Sequence, residues 1–449
     1  MAPRGKERTH SETRPRVLDL FCGAGGLSVG FDAAGYKIVG GIDNNEIAVK
    51  TFTNNIADAK GLIRDLRKSD FSDIKDFVGP SGVDIIIGGP ACQGFSTSGG
   101  LSRTRGRDDK DPRNQLFVNY LEIVDLLRPS WILFENVPGL LLYDNGRVAL
   151  EIARAFREIG YAVVPMILLA ADFGVPQLRR RLVFVGNRTG SDIAFPTPTH
   201  GNSDLWKNYA LPFAHLSRIG HGGNAGALAH VTFDQACGDL PPLAEGQTLD
   251  RVPYAADPAS AFQIRIRVDS PLVRQHVADT LPPLDRFAAQ ILKPGENWRH
   301  IPSQALPDRF RRIRPYDATT CLRRLRGDQP AYTITTKFNE ATTGAFIHPT
   351  QARTLTLREA ARIQSFPDRF VFEGTAGQIR HQIGNAVPPL LSQCLAEAIK
   401  PFAVRDIEGV SSLPVRDVVI ISNGIADTDI LRLKAPRRPN LLEQEVRAV

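Results

Sequence analysis

The segment Gly88-Gly89-Pro90-Ala91-Cys92-Gln93-Gly94-Phe95-Ser96 leaves a thiol, Cys92, just past the apolar run Val83 to Ile87. The β-branched bias of that run reads as a buried strand, stopped by two glycines and a proline. In open α/β sheets ligands and chemistry gather at the carboxyl ends of strands, so a cysteine there reads as a nucleophile if partners surround it. Two other strand ends offer partners. Phe134-Glu135-Asn136-Val137-Pro138 closes one. A desolvated glutamate facing a pocket there can keep a proton or share one with a heterocycle; the plain alternative is an exposed loop acid. Gln177-Leu178-Arg179-Arg180-Arg181 enters the strand Leu182 to Val185. In extended chain Arg179 and Arg181 share one face, and paired guanidinium groups on a sheet rim suit a phosphate or a carbonyl oxygen. Arg180, pointing the other way, reads as an exposed basic edge.

A second group of residues suits a cofactor. Asp19-Leu20-Phe21-Cys22-Gly23-Ala24-Gly25-Gly26 joins a first strand to a first helix. Its glycines let the backbone pass close to a ligand, and the helix amino end favours negative charge. The spacing is not the Gly-x-Gly-x-x-Gly of nicotinamide enzymes. Asp43, closing the second strand, is placed for a ribose hydroxyl pair, and Asp65 for an adenine amino group. Taken singly, either aspartate is equally a loop or cap residue. Together with the glycine turn they favour an adenosine-containing cofactor.

The elements that must position these residues alternate. Strands are expected over Val17 to Leu20, Lys37 to Ile42, Val83 to Ile87, Trp131 to Phe134, Val163 to Leu169 and Leu182 to Val185. Helices are expected over Leu27 to Ala34, from Glu46, over Leu116 to Leu127 and over Val148 to Ile159. That order predicts an α/β fold, a doubly wound and mostly parallel sheet running to about Arg188. From Thr189 to about Gln329 prolines, glycines and histidines multiply and periodicity fades, which reads as a smaller irregular domain or a long insertion. Helical character returns over Leu357 to Gln364 and from Pro388-Pro389 to Ile399, proline being tolerated in a first turn.

With 449 residues, 42% of them hydrophobic, the chain can bury a full core and is expected to hold more than one domain. The formal charge of +7 is uneven, because arginines crowd the stretch from Arg299 to Arg326. Such a cluster suits a polyanion or forms a solvated basic face. The five cysteines are dispersed, with no Cys-x-x-Cys pair and no zinc spacing, so reduced thiols and no metal are expected. Met1 to Arg16 lacks an apolar signal core and no run approaches a membrane span, so a cytoplasmic, nucleoid-associated protein is expected.

In order along the chain these blocks resemble those of cytosine-5 DNA methyltransferases that use S-adenosylmethionine. The resemblance also rests on Arg353-x-Leu355-Thr356-x-Arg358-Glu359-Ala360-Ala361-Arg362-Ile363-Gln364-Ser365-Phe366-Pro367-Asp368 and on Gln382-Ile383-Gly384-Asn385-Ala386-Val387-Pro388-Pro389. It implies a sheet of the methyltransferase type with a target-recognition domain. The implied divisions are a tail over 1–16, a catalytic domain over 17–188, recognition over 189–354, a return to the catalytic domain over 355–400, and an extension of unassigned role over 401–449. By resemblance Cys92 is the nucleophile, Glu135 holds ring nitrogen 3, Arg181 bonds ring oxygen 2, and the Pro90 carbonyl accepts from the exocyclic amino group. Asn136 fixes the loop, and Arg179 supports Arg181 or meets a phosphate. Phe21, Gly23, Ala24, Gly26, Asp43, Asp65, Leu116, Asn385 and Val387 would hold the cofactor. Gln93, Ser96 and Ser98 are candidate substrate or DNA contacts in a loop that also carries Arg103, Arg105 and Arg107.

The implied substrate is a flipped-out cytosine in duplex DNA, the implied state a monomer, and a restriction endonuclease of the same target site a candidate partner. A silent DNA-binding homologue and an RNA-directed enzyme are the alternatives. One departure stands out: the family favours proline immediately before the nucleophile, and this chain has Ala91. The expectation is a tolerated change, since Cys92, Glu135, Arg179 and Arg181 are all retained.

Overall fold

The computed structural model describes residues 14–68, 70–90, 115–142, 147–201, 228–314 and 317–403. Its first half alternates β1 (Arg16–Leu20), α1 (Gly26–Ala33), β2 (Lys37–Asp43), α2 (Glu46–Asn55), β3 (Lys60–Ile63), α3 (Ser72–Val78), β4 (Ile85–Gly88), α4 (Gln115–Leu127) and β5 (Trp131–Asn136). It continues through α5 (Gly139–Leu142), α6 (Arg147–Glu158), β6 (Ala162–Leu169), β7 (Gln177–Leu178) and β8 (Arg180–Asn187). Seven strands form one sheet in the order β3-β2-β1-β4-β5-β8-β6. β1 to β5 run parallel, and β8 lies antiparallel between β5 and β6. The strand order reverses between β1 and β4. That switch point opens a crevice at their carboxyl ends, so the glycine turn and the Gly89-Pro90 step face each other across it.

Burial explains why these strands could be read from sequence. Ile85, Ile86 and Ile87 are all inaccessible, as a parallel strand covered on both faces requires. Alternate residues feed separate apolar layers: Leu18, Leu20, Ile86 and Phe134 lie on one side, Val17, Ile85, Ile87 and Leu133 on the other. The edge strand β3 and the seven-residue α3 were not expected, because an exposed edge and a short polar helix carry no apolar period.

Past Asn187 the elements shorten to α7 (Phe233–Cys237), β9 (Thr248–Leu249), α8 (Ala261–Ile266), β10 (His276–Val277), α9 (Pro283–Ile291), α10 (Asp308–Arg311) and β11 (Ala331–Tyr332). A separate apolar cluster around Trp298 and Phe310 runs from Leu281 to Ile347. β11 pairs with β7 in parallel as a separate two-stranded sheet and so draws this region back to the segment that leads into β8. The chain then returns through α11 (Leu357–Ile363), α12 (Ala376–Asn385) and α13 (Pro389–Ala403). α13 opens on its proline, as expected, and lies against α1. Ser392 Oγ donates to Leu27 O at 2.6 Å, and a Cβ on Gly30 would stand 2.5 Å from Pro389 O.

The arginine-rich stretch is not a uniform surface. Arg324 is buried and donates to the backbone carbonyls of Ala289, Leu292, His348 and Gln351. Arg314 and Arg326 are paired with Asp317 and Asp328 at 2.7 and 2.6 Å.

Candidate active site

A cleft of about 950 Å³ opens at the carboxyl ends of β1, β2, β4 and β5 and is closed on its far side by α12. All nine residues expected to hold a cofactor line it: Phe21, Gly23, Ala24, Gly26, Asp43, Asp65, Leu116, Asn385 and Val387. Pro90, Glu135, Asn136 and Arg181 line the same cleft. Ala91, Cys92, Gln93, Ser96, Ser98, Arg103, Arg105 and Arg107 lie outside the described residues.

The glycine turn is shaped by two demands. Phe21 and Gly23 both take left-handed backbone, with φ of 59° and 52°, so the chain turns sharply off β1. A Cβ on Gly23 would meet nothing within 4 Å, whereas one on Gly26 would stand 2.3 Å from Val387 O. Gly23 therefore leaves ligand space and Gly26 lets the returning chain close on α1. Asp43 fastens the turn, since its two oxygens accept from the N–H groups of Gly23 and Asn45, each at 2.9 Å. Burial pushes its carboxyl up, against those backbone donors. Asp65 is held differently. Arg67 forks onto its oxygens, the shortest contact being 2.7 Å, and hydrogen bonds from Arg67 draw the carboxyl down to about 2.

At the other end Glu135 Oε1 meets Arg181 Nε at 2.7 Å. Burial raises the Glu135 carboxyl, and the charges of Arg181 and Arg179 offset that only in part. The wall opposite must stay bare, because a Cβ on Gly89 would stand 2.8 Å from Glu135 Oε2. Asn136 Nδ2 donates to Pro90 O at 3.2 Å while its Oδ1 accepts from Val137 N–H at 2.9 Å. That bond fixes the start of the Cys92 loop and leaves the Pro90 carbonyl one lone pair.

Two expectations about the arginines fail here. Arg179 and Arg181 do not share one face, because β7 and β8 meet at a corner. The Arg179 N–H donates to Gln177 O at 2.9 Å and its carbonyl accepts from Ala170 N–H at 2.8 Å. This turn breaks the strand alternation. Arg181 turns to Glu135, while Arg179 is 1% exposed and donates to Ile334 O, Gly384 O and Ala386 O at 2.9, 3.1 and 3.0 Å. So placed, it meets no phosphate. Arg180 is buried rather than an exposed edge, because β8 is an interior strand with β5 and β6 on either side.

Sequence reasoning also missed residues of the cleft. Asp19 lines it fully buried, with Oδ2 accepting from Ser28 Oγ at 2.7 Å and Oδ1 without a partner. Burial, opposed by the Ser28 hydrogen bond, raises its carboxyl to about 7, with the Asp43 charge adding. Arg67, Gln378 and His381 line the cleft as well. The capping pair Thr375 and Gln378 was a legible signal for α12, the helix that carries the last two.

Among the described residues no cluster of three metal-ligating side chains occurs, and no helix is long and apolar enough to cross a membrane. The model of the C-5 cytosine-specific DNA methylase family matches residues 15–234 and 264–401. The chain belongs to that family, and its fold is the α/β sheet of S-adenosylmethionine-dependent methyltransferases. It is 34% identical over 410 residues to the type II methyltransferase M.DdeI of Desulfomicrobium norvegicum, covering 85% of this chain and 88% of that one. It is 31% identical over 382 residues to M1.HphI of Haemophilus parahaemolyticus, covering 85% and 86%. A crystal structure from E. coli, described as a DNA modification methyltransferase encoded within a prophage, matches with a TM-score of 0.62 at 23% identity. That match covers 86% of this chain and 99% of the other. The protein is a DNA (cytosine-5)-methyltransferase.

Proposed function

We propose that this chain methylates carbon 5 of a cytosine flipped out of a specific duplex DNA sequence, by way of a covalent adduct between Cys92 and carbon 6. The observation that carries the reading is the Glu135–Arg181 pair at 2.7 Å, set in the same cleft as the glycine turn and facing the Pro90 side. Carbon 5 of cytosine is a poor nucleophile. Addition of the Cys92 thiolate at carbon 6 drives electron density onto it, and Glu135, its carboxyl raised by burial, gives ring nitrogen 3 the proton that absorbs the charge. Arg181 bonds ring oxygen 2 and the free lone pair of the Pro90 carbonyl takes the exocyclic amino group. Carbon 5 then takes the methyl group and loses its own proton to water, and as the thiolate is expelled ring nitrogen 3 returns its proton to Glu135. Inside a duplex no protein group reaches these ring atoms, so extrusion of the base is required.

The cleft fits S-adenosylmethionine on chemical grounds. Asp19, Asp43 and Asp65 line the cleft, and since Asp65 is paired with Arg67, Asp19 and Asp43 are the carboxyl groups left for a ligand carrying cationic centres. Asp19 lines that space, and its Oδ1 is buried without a hydrogen-bond partner. S-adenosylmethionine, when bound, supplies an electrophilic methyl group on sulfur. Asp43 holds the ribose hydroxyls, Asp65 the adenine amino group, and Phe21, Gly23, Ala24, Gly26, Leu116, Asn385 and Val387 enclose the rest. The chain acts as a monomer, as the modification half of a restriction system or alone. The test is radiolabelled methyl transfer to duplex DNA followed by bisulfite sequencing. Wild type labels cytosines at one sequence and Cys92→Ser labels none while still binding DNA. Labelling by Cys92→Ser at the wild-type rate would refute the assignment.

A further inference from the structure

The last turn of α12 faces two ways. Asn385, Ala386 and Val387 line the cleft. A helix end leaves its last carbonyls short of intrahelical donors, and Ile383 O keeps a single weak one, the Ala386 N–H at 3.3 Å. Two side chains that do not line the cleft supply donors, and a third holds them. Arg179 Nη2 reaches Gly384 O and Ala386 O at 3.1 and 3.0 Å, and Gln364 Nε2 reaches Ile383 O at 2.6 Å. Gln177 braces both: its Nε2 donates to Gln364 Oε1 at 3.0 Å, and its Oε1 accepts from Ile334 N–H at 2.8 Å. Arg179 Nη1 closes the circuit on Ile334 O at 2.9 Å.

Gln177, Arg179 and Gln364 are each at most 1% exposed, so no water stands ready to replace a lost donor. The guanidinium also sits at the negative end of the helix dipole. The turn has no slack, because a Cβ on Gly384 would stand 2.4 Å from Thr336 N. Wherever this polar patch holds the turn, Asn385 and Val387 must follow.

We propose that Gln364, braced by Gln177 and Arg179, is a positioning residue for the cofactor, setting where Asn385 and Val387 stand although it touches no ligand itself. The proposal rests on the reading of the cleft as the S-adenosylmethionine site. Gln364→Met keeps the side chain's length and removes both hydrogen-bonding groups. The full-length variant is titrated with S-adenosylhomocysteine by calorimetry and then assayed for methylation. Binding weakens about tenfold, the KM for S-adenosylmethionine rises by a similar factor, and kcat at saturating cofactor stays within about twofold of wild type. A structural defect alone would lower kcat through the active fraction and leave KM unchanged, and that result overturns the proposal. So does S-adenosylhomocysteine binding within twofold of wild type. Gln177→Met, which removes the brace on Gln364, gives the same readout should Gln364→Met not fold. Wild type that binds no S-adenosylhomocysteine would instead overturn the cofactor reading itself.

Discussion

Two carboxylates in this molecule each stand 2.7 Å from an arginine and are shifted in opposite directions. Glu135, in the cleft, has its carboxyl raised by burial that one Arg181 contact and the nearby Arg179 charge do not offset. Glu359, in α11, is the more deeply buried of the two, 2% exposed against 13%, yet the charges of Arg353 and His348 and the Arg353 hydrogen bonds hold it well below the usual carboxylate range. The difference is the number of bonds. Arg353 forks onto both oxygens of Glu359, and the Thr356 N–H adds a third donor. Nearby Arg362 is bonded by Asp239 and Asp368 together, and Tyr254 completes Asp368. Where the chain needs a rigid scaffold it saturates its buried charges. Where it does chemistry it leaves them short of partners, so that a substrate can complete the set.

Substitutions on each side should separate the two kinds of cluster. Glu135→Gln removes the proton donor and should lower kcat by roughly 10²- to 10⁴-fold. Its stability should stay within about 1 kcal/mol of wild type. A parallel loss of stability in urea unfolding would place Glu135 with the scaffold. Arg362→Met should do the reverse, stranding two buried carboxylates and lowering the unfolding free energy by about 3–5 kcal/mol. A loss below about 1 kcal/mol would erase the distinction drawn here. The smallest effect belongs to Asp19 and depends on pH. Unfolded, its carboxyl loses its proton near pH 4; folded, it does so only at about 7. The folded state therefore binds the extra proton, and the stability this confers is lost as pH climbs from about 4 to about 7. Asp19→Asn should gain on wild type across that window, by on the order of 2–4 kcal/mol at pH 8, in thermal unfolding followed at several pH values. A constant difference from pH 4 to pH 8 would mean that Asp19 is not the unsatisfied acid described here.

The same contrast explains what could be read from sequence. β1 and β4 are covered on both faces, and the apolar runs Val17-Leu18 and Ile85 to Ile87 announced them. α12 carries two glycines and no clean apolar stripe, and it is made by what surrounds it. Of the site, the residues at strand ends, Glu135 and Asp43, and the glycine turn after β1 were legible from type and spacing. The parting of Arg179 from Arg181 was not, since it depends on a corner between two strands that only tertiary pairing creates. Asp19 was visible as a letter in the turn, while its missing partner is a property of the packed interior.

The contact between α1 and α13 has a consequence for how the molecule comes into being. Ser392 and Leu27, bonded at 2.6 Å, stand 365 positions apart along the chain, and Tyr36 reaches the Ala396 carbonyl across 360. Closing so wide a loop is slow, and it must wait for nearly everything between to be synthesised. A nascent chain therefore carries its glycine turn and the strands around it long before the far wall of the cleft exists. The cleft is therefore closed only once α12 and α13 have docked.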